Sequence, residues 1–269
     1  MENEFFYFTG TGNSLANARR IASRIGETRV VSMPGALEEG TVPSGARIGL
    51  FFPTYAYGLP RMVKDFVRTV RFPRDAYIFA VASSFGIPGS VLKQLDRLLR
   101  KQGLRLHAGF NVFDPRSSLI EDPDNDTVQR VMIGLNRGER PARSEDRLEE
   151  ITETALARKR HPLERSNLAT SFVGGMLNGV AVSSFKTMAG NYSANDGCKS
   201  CAICARVCPR GNIRIEAGRP VWGTDCEMCH ACIQWCPQEA IQFADRTQDK
   251  PRYRNSEVSV GDMLVHDGV

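Results

Sequence analysis

The sequence predicts two unlike parts: an α/β domain whose parallel sheet is wound with helices on both faces, and after it a small α+β module organised by cysteine. Three observations carry this. Short apolar runs alternate with stretches of helical periodicity over residues 1–112, the pattern of repeated βαβ units. The first apolar run ends in a Gly- and hydroxyl-rich loop that opens a helix. All eight cysteines of the 269-residue chain fall in the 39 residues from Cys198 to Cys236.

Taken in order, Phe5-Phe6-Tyr7-Phe8 reads as the first strand, and Leu15, Ala18, Ala22 and Ile25 recur at helical spacing after it. Residues 29–32 give a short second strand. Arg47 to Phe52 and Asp75 to Ala82 read as buried strands, since a parallel sheet covered on both faces needs near-continuous apolar runs. Val63, Phe66, Val67 and Val70 make one helical face between them, and Val91, Leu92, Leu95, Leu98 and Leu99 make the next. Leu104 to Val112 is the fifth strand.

Between the first strand and its helix lies Thr9-Gly10-Thr11-Gly12-Asn13-Ser14. A loop of this kind gathers backbone N–H groups and the positive end of a helix around an anion, with hydroxyls as further donors. It lacks the G-K-[ST] of a nucleoside triphosphate loop. It also fails G-x-G-x-x-G, because Leu15 stands at the third glycine position. A monophosphate held by neutral donors is the better fit.

These residues resemble the phosphate loop of the flavodoxins, and two further segments agree. The third strand runs into Pro53-Thr54-Tyr55-Ala56-Tyr57-Gly58-Leu59-Pro60, and the fourth into Ser83-Ser84-Phe85-Gly86-Ile87-Pro88-Gly89. Ligands of open α/β sheets sit outside the carboxyl ends of the strands, which these loops occupy. The resemblance implies a flavodoxin-like doubly wound sheet of order 2-1-3-4-5 and FMN as cofactor. It also implies that Tyr55 or Tyr57 and the Phe85 loop flank the flavin ring. Unlike many flavodoxins, the chain has no acidic cluster around these loops.

Residues 114–143 are polar, with a turn at Asp122-Pro123-Asp124-Asn125-Asp126 and a short helix from Val128 to Leu135. From Ser144, Leu148, Ile151, Ala155 and Leu156 mark the last helix of the first domain, closed by Arg158-Lys159-Arg160-His161. That run reads as a solvated helix end, and more weakly as a docking patch. The domain is expected to span residues 1–163. Residues 164–194 form a helical linker: the apolar, Gly- and Ser-rich stretch from Leu168 to Met188 is too interrupted to span a bilayer and reads as one or two helices between the domains, or as a partner or membrane face. The cysteine module is expected over 195–245. Residues 246–269 form a polar tail, flexible or wrapping.

The cysteines form two runs, Cys198-x2-Cys201-x2-Cys204-x3-Cys208-Pro209 and Cys226-x2-Cys229-x2-Cys232-x3-Cys236-Pro237. Three thiolates two residues apart wrap one iron–sulfur cube, and the fourth cysteine of each run reaches the other cube. One 4Fe-4S cluster would take Cys198, Cys201, Cys204 and Cys236; a second would take Cys226, Cys229, Cys232 and Cys208. Structural zinc would need this double spacing by coincidence. Disulfides would need an oxidising compartment. Cys226-Glu-Met-Cys229-His230 matches the c-type haem pattern but overlaps a complete cluster run, and His230 reads as a solvated loop residue. Asn212 to Trp222 reads as a hairpin, with Ile213, Ile215, Trp222, Ile241 and Phe243 as the module's packing. The tandem pattern resembles the bacterial two-cluster ferredoxins. Both motif sets together resemble the family of fused flavodoxin and two-cluster ferredoxin proteins.

Composition sets the remaining expectations. With 42% hydrophobic residues and a net charge of +5 from scattered basic residues, nucleic acid is not the expected partner. Lys199, Arg206, Arg210, Arg214 and Arg219 outnumber Glu216, Asp225 and Glu227 around the cysteines, which suits an acidic redox partner or an ordinary solvated surface. No signal segment or membrane span is evident, so the cytoplasm is expected. No catalytic constellation is evident, and the only histidines are His107, His161, His230 and His266. The leading reading is an electron-transfer protein linking an external redox protein, two 4Fe-4S clusters and FMN. The rival is an FMN-dependent reductase of a small molecule, a quinone or an enone, at an open space bordered by Gly58 to Arg61 and the Phe85 loop.

Overall fold

The computed structural model describes residues 2–84, 88–113 and 145–266; Phe85, Gly86, the turn at 122–126 and the helix expected over 128–135 lie outside them. Five strands, β1 (Asn3–Tyr7), β2 (Thr28–Ser32), β3 (Arg47–Pro53), β4 (Tyr77–Ser84) and β5 (Ala108–Phe113), form one sheet of order β2-β1-β3-β4-β5. All its pairings are parallel. This is the order the sequence predicts, with the reversal of winding between β1 and β3.

Alternation along the strands sends neighbouring phenylalanines to opposite faces. Phe6, Ile48, Leu50 and Phe52 pack on one face beneath α3 (Arg61–Thr69) and α4 (Val91–Arg100). Phe5, Phe51, Phe79 and Phe110 pack on the other, beneath α1 (Asn13–Ile25) and α5 (Glu145–Leu156). Gly49 lies level with Phe5 and Phe79 in the sheet. A side chain there would collide with the rings of Phe5, Phe51 and Phe79, so glycine is what admits these three aromatics side by side. Phe79 is fully buried, 5.4 Å edge-on from Phe5 and 5.8 Å from Phe51. Phe79→Ala should lower unfolding free energy by about 3–5 kcal/mol, seen as a lower urea midpoint for loss of sheet ellipticity with the slope retained.

Three local readings change. β5 begins at Ala108, not Leu104, because the Asp96 carboxylate accepts the Leu106 amide (2.9 Å) and withholds it from the ladder; Leu104 and Leu106 are buried in the approach to the strand. An additional helix, α2 (Met33–Glu38), is started by Ser32, whose hydroxyl accepts from Gly35 N (3.1 Å), with Pro34 in its first turn. In α5, Leu148, Ile151 and Ala155 face inward but Leu156 is exposed. The α5 carbonyls of Ala155 and Leu156 are instead held by the buried guanidinium of Arg47, a cation at a helix carboxyl end.

Leu168–Met188 is one helix, α6. No helix among the described residues is long and apolar enough to cross a membrane. Near its start the Ser171 hydroxyl donates to Ser166 O (2.9 Å), midway Asn178 Nδ2 donates to Tyr55 O (2.9 Å), and at its end Phe185 and Met188 pack on the C-terminal module. That module contains β6 (Tyr192–Ala194), α7 (Ile203–Arg206), the hairpin β7 (Ile213–Glu216) and β8 (Arg219–Trp222), α8 (Ala231–Gln234) and β9 (Ile241–Phe243). β6 pairs antiparallel with β9, Tyr192 opposite Phe243. The module's sheet therefore starts at Tyr192, inside the segment read as linker, because the ladder needs a strand supplied from before the first cysteine. Ile213, Ile241 and Phe243 are buried; Ile215 and Trp222 are partly covered.

Residues 247–266 run back over the first domain. Arg20 Nε donates to Glu257 (2.9 Å), Arg19 pairs with Asp262, and Val265 N donates to Arg206 O (2.9 Å) in the module. His266 closes the strap, with Nε2 2.8 Å from Cys208 O and Nδ1 2.7 Å from Glu38.

Candidate functional site

The two cysteine runs share one backbone. At an offset of 28 residues, φ is positive at Ser200 and Met228 (55° and 56°), at Ala202 and His230 (58° and 56°), and at Gly211 and Glu239 (57° and 47°). For the non-glycine members such angles cost about 1–3 kcal/mol each and persist only where the surroundings impose them. Alternating right- and left-handed residues turn successive N–H groups toward one centre. Two of these amides meet sulfur: Met228 N donates to Cys226 Sγ and Asn212 N to Cys208 Sγ, both at 3.3 Å.

The fold sorts the eight thiols crosswise. Cys198, Cys201, Cys204 and Cys236 line one cavity with Ile203, Ile215, Pro220 and Ile241. Burial pushes the Cys204 thiol up to about 12, and Cys201, Cys236 and Cys198 add to the shift in that order. Cys208, Cys226 and Cys229 act in the same way on Cys232, which burial pushes well above the ordinary thiol range. Burial likewise lifts Cys226 to about 11 and raises Cys229 strongly. Among the described residues no group of three or more His, Cys, Asp or Glu side chains is close enough to hold a metal ion. The ligands of a cube sit on different irons and stand further apart. Soft donors in two sets of four, with amides directed at sulfur, are the donor chemistry such cubes take.

His230 is half-buried rather than a free loop residue. Its Nδ1 lies 2.8 Å from the Tyr192 hydroxyl and its ring stands edge-on to Phe243; burial lowers it to about 4.

The second run meets the first domain directly. An acidic and basic lattice joins Asp225–Glu227 to α3: Arg61 donates to Cys226 O (2.9 Å) and pairs with Asp225, and Arg210 bridges Asp225 (2.9 Å) and Asp65 (2.8 Å). The buried Glu227 carboxylate accepts the Met62 amide (3.1 Å) in the first turn of α3. Desolvation raises Glu227 to about 7 despite that bond and the nearby Arg210 and Arg61. Beside it, Cys229 packs against both the sheet core and the start of α1.

That contact falls on the loop from Thr9 to Ser14. Gly12 caps α1 in a left-handed conformation (φ 94°) with no side-chain cap, so the first amides of the helix keep their donors. Thr9 Oγ1 accepts from Gly12 N (3.0 Å). Gly10 lies under the Cys229 carbonyl, its own carbonyl accepting the Trp235 indole N–H (2.9 Å). A Cβ on Gly10 would collide with Cys229 O, and one on Gly12 would meet Val258 and Asn255. All six residues, Thr9, Gly10, Thr11, Gly12, Asn13 and Ser14, are buried.

The carboxyl edge of the sheet also holds unspent polar groups. Asn13 Nδ2, Thr54 Oγ1 after β3, Ser84 Oγ at the end of β4 and Asn111 Oδ1 in β5 are buried without a partner. Orphans of this kind mark a place for a polar ligand. FMN, with a phosphate for the loop and a polar ring system for the strand ends, fits that donor and acceptor set.

Pro53 ends β3, and Tyr55 and Gly58 close a two-residue turn by mutual bonds of 3.0 Å, its two residues Ala56 and Tyr57 left-handed. The Tyr55 ring stands edge-on to Phe8 at 5.8 Å, its hydroxyl over Gly10. Gly58 lies against Asn178, and Arg61 is committed to Asp225 and Cys226. Among the described residues, Gly58 thus faces α6 and Arg61 the second cysteine run. Sequence reasoning missed Asn178, Glu227, Trp235, Tyr253 and Asn255. A lone asparagine in an apolar helix was the one readable signal among them.

No protein-family profile and no curated protein matches the chain. Among solved structures it is similar to a flavodoxin of Streptococcus pneumoniae TIGR4 (16% identity, 58% of this chain and 97% of that one, TM-score 0.38). It is also similar to a short-chain flavodoxin associated with a bacterial microcompartment (12%, 58% and 96%, 0.40). A third is the rubredoxin:oxygen oxidoreductase of Desulfovibrio gigas (13%, 58% and 35%, 0.38). Strand order and parallel register make the first domain flavodoxin-like in fold without them.

Proposed function

We propose that this chain is an electron-transfer flavo-iron–sulfur protein, carrying electrons between an external redox protein, two 4Fe-4S clusters and FMN. The observation that carries the reading is the seat of the Cys229 carbonyl on Gly10: a cysteine of the second run touches the loop suited to the flavin phosphate. Cys198, Cys201, Cys204 and Cys236 would hold one cluster and Cys226, Cys229, Cys232 and Cys208 the other. Thr9–Ser14, Pro53, Thr54, Tyr55, Tyr57 and Ser84, with Phe85 and Gly86, would hold FMN. When bound, the clusters supply single electrons and the flavin accepts one or two, so the chain is suited to joining one- and two-electron chemistry.

The residues supply alignment and dryness. Arg61, Arg210, Asp225 and Glu227 fix the second run on α3, and Trp235 fixes it on Gly10. Leu15, Val207, Ala231, Val258 and Met263 close the seam with apolar surface. A fixed seam replaces diffusional encounter between separate carriers. Exposed Cys201 supports a redox partner docking on the side of the first set of cysteines, in the cytoplasm.

The test is composition followed by transfer. Anaerobically purified protein should contain about eight irons and one FMN per chain by the ligand arithmetic. Stopped-flow mixing with reduced ferredoxin should then bleach cluster absorption before the flavin band. Zinc in place of iron would sink the cluster reading; a flavin that never receives the electrons would sink the transfer reading. Gly58 against Asn178 and Arg61 on Asp225 and Cys226 favour the transfer reading over a small-molecule reductase.

A further inference from the structure

The polar tail does more than tie the domains together. Tyr253 OH (2.9 Å) and Asn255 Nδ2 (2.8 Å) both donate to Asn13 Oδ1, and Asn255 N donates to Thr11 O (2.9 Å). Glu257 N donates to Asn255 Oδ1 (3.0 Å), which fixes the Asn255 amide in the orientation that presents Nδ2 to Asn13. In all three contacts the strap donates and the loop accepts. None of them uses a donor of the loop.

The consequence falls on Asn13. With both lone-pair directions of Oδ1 engaged, its amide cannot flip, and Nδ2 is turned away from the strap. Asn13 is 5% exposed, and that Nδ2 has no partner. It heads α1, a helix of 13 residues whose cap leaves the first amides without a side-chain acceptor. A buried, unpaired N–H donor beside the positive end of a helix is unfavourable until an anion accepts from it.

We propose that Tyr253 and Asn255 are positioning residues of a phosphate monoester site: they lock Asn13 so that its Nδ2, with the leading amides of α1, receives the phosphate of FMN. The strap is thus part of the cofactor site, and Arg20–Glu257 and Arg19–Asp262 anchor it along α1. This rests on the reading that the chain binds FMN.

The test separates phosphate from ring. Flavin-free full-length protein is titrated with FMN and with riboflavin, following quenching of flavin emission, for the wild type, Tyr253→Phe and Asn255→Ala. Each lost hydrogen bond that orients a donor to a charged group should weaken FMN binding by about tenfold. Riboflavin affinity, which has no phosphate to report, should stay unchanged. Equal losses for both ligands would show a merely structural role, and unchanged or tighter FMN binding would show an idle or competing strap; each overturns the proposal. Tyr253→Phe removes one hydroxyl and keeps the packing, so it decides the matter if Asn255→Ala does not fold. A wild type that binds neither ligand overturns the flavin reading as well, whereas a wild type that binds FMN beside insensitive variants overturns the positioning role alone.

Discussion

Gly10→Ala should detach the cysteine module from the first domain without unfolding either. The new methyl group would collide with the Cys229 carbonyl oxygen and approach the Tyr55 hydroxyl. A carbonyl fixed within a cysteine run cannot swing aside as a flexible side chain would, so the seam must open. Overpacking of this kind costs about 1–3 kcal/mol, and it falls on the bond from Trp235 to Gly10 O and on the apolar seam around Leu15 and Val258. The expected result is a red-shifted emission from Trp235, faster protease nicking at the seam and slower reduction of flavin by the clusters, with sheet ellipticity retained. Gly190→Ala is the control, since nothing lies within 4 Å of the added atom. A Gly10→Ala protein with native emission and native protease resistance would show that the carbonyl does not seat on the loop.

Iron removal should have a still larger effect and a wider one. The module's apolar core is a handful of side chains around Ile213, Ile233, Ile241 and Phe243, too few to offset the strained left-handed residues of both runs. On the proposed reading, metal binding supplies most of its folding free energy. After chelation under reducing conditions, amides over residues 192–243 should exchange orders of magnitude faster, while those of β1, β3 and β4 remain protected. FMN affinity should fall with them, because the Cys229 carbonyl and Trp235 cover Gly10 and the strap reaches the loop by way of the module. An iron-free protein with a fully protected module would end the cluster reading. A protected sheet that keeps its FMN affinity after iron loss would end the coupling.

The sheet was legible because burial on both faces leaves a plain record. Phe5-Phe6, Ile48 to Phe52 and Tyr77 to Ala82 are apolar without interruption, and the spacing of Val63, Phe66 and Val67 fixes which side of α3 faces inward. The start of β5 was not legible, since Asp96 takes the Leu106 amide from the preceding helix and leaves no mark on Leu104 or Leu106 themselves. The two runs of cysteines, and the glycines and hydroxyls of the loop, stand plainly in the sequence. The seam between them does not. It is made by the carbonyls of Gly10 and Cys229, atoms that every residue possesses, and by a tail whose contacts follow no period. His230 shows the same limit: a histidine beside a cysteine run reads as solvated until Tyr192 and Phe243 are brought over it from either end of the module.

The bond from Tyr253 to Asn13 spans 240 positions. On the ribosome, the first domain's sheet has all its strands long before that hydroxyl exists, and the amide of Asn13 remains free to flip until the strap arrives. Non-local closure of this sort is slow, so loading of the phosphate loop becomes a late event, timed by synthesis of the strap. A nascent chain stalled before residue 253 would carry a finished sheet and an unfinished cofactor pocket. Assembly of the flavin site would thereby report that the cysteine module, too, has already been made.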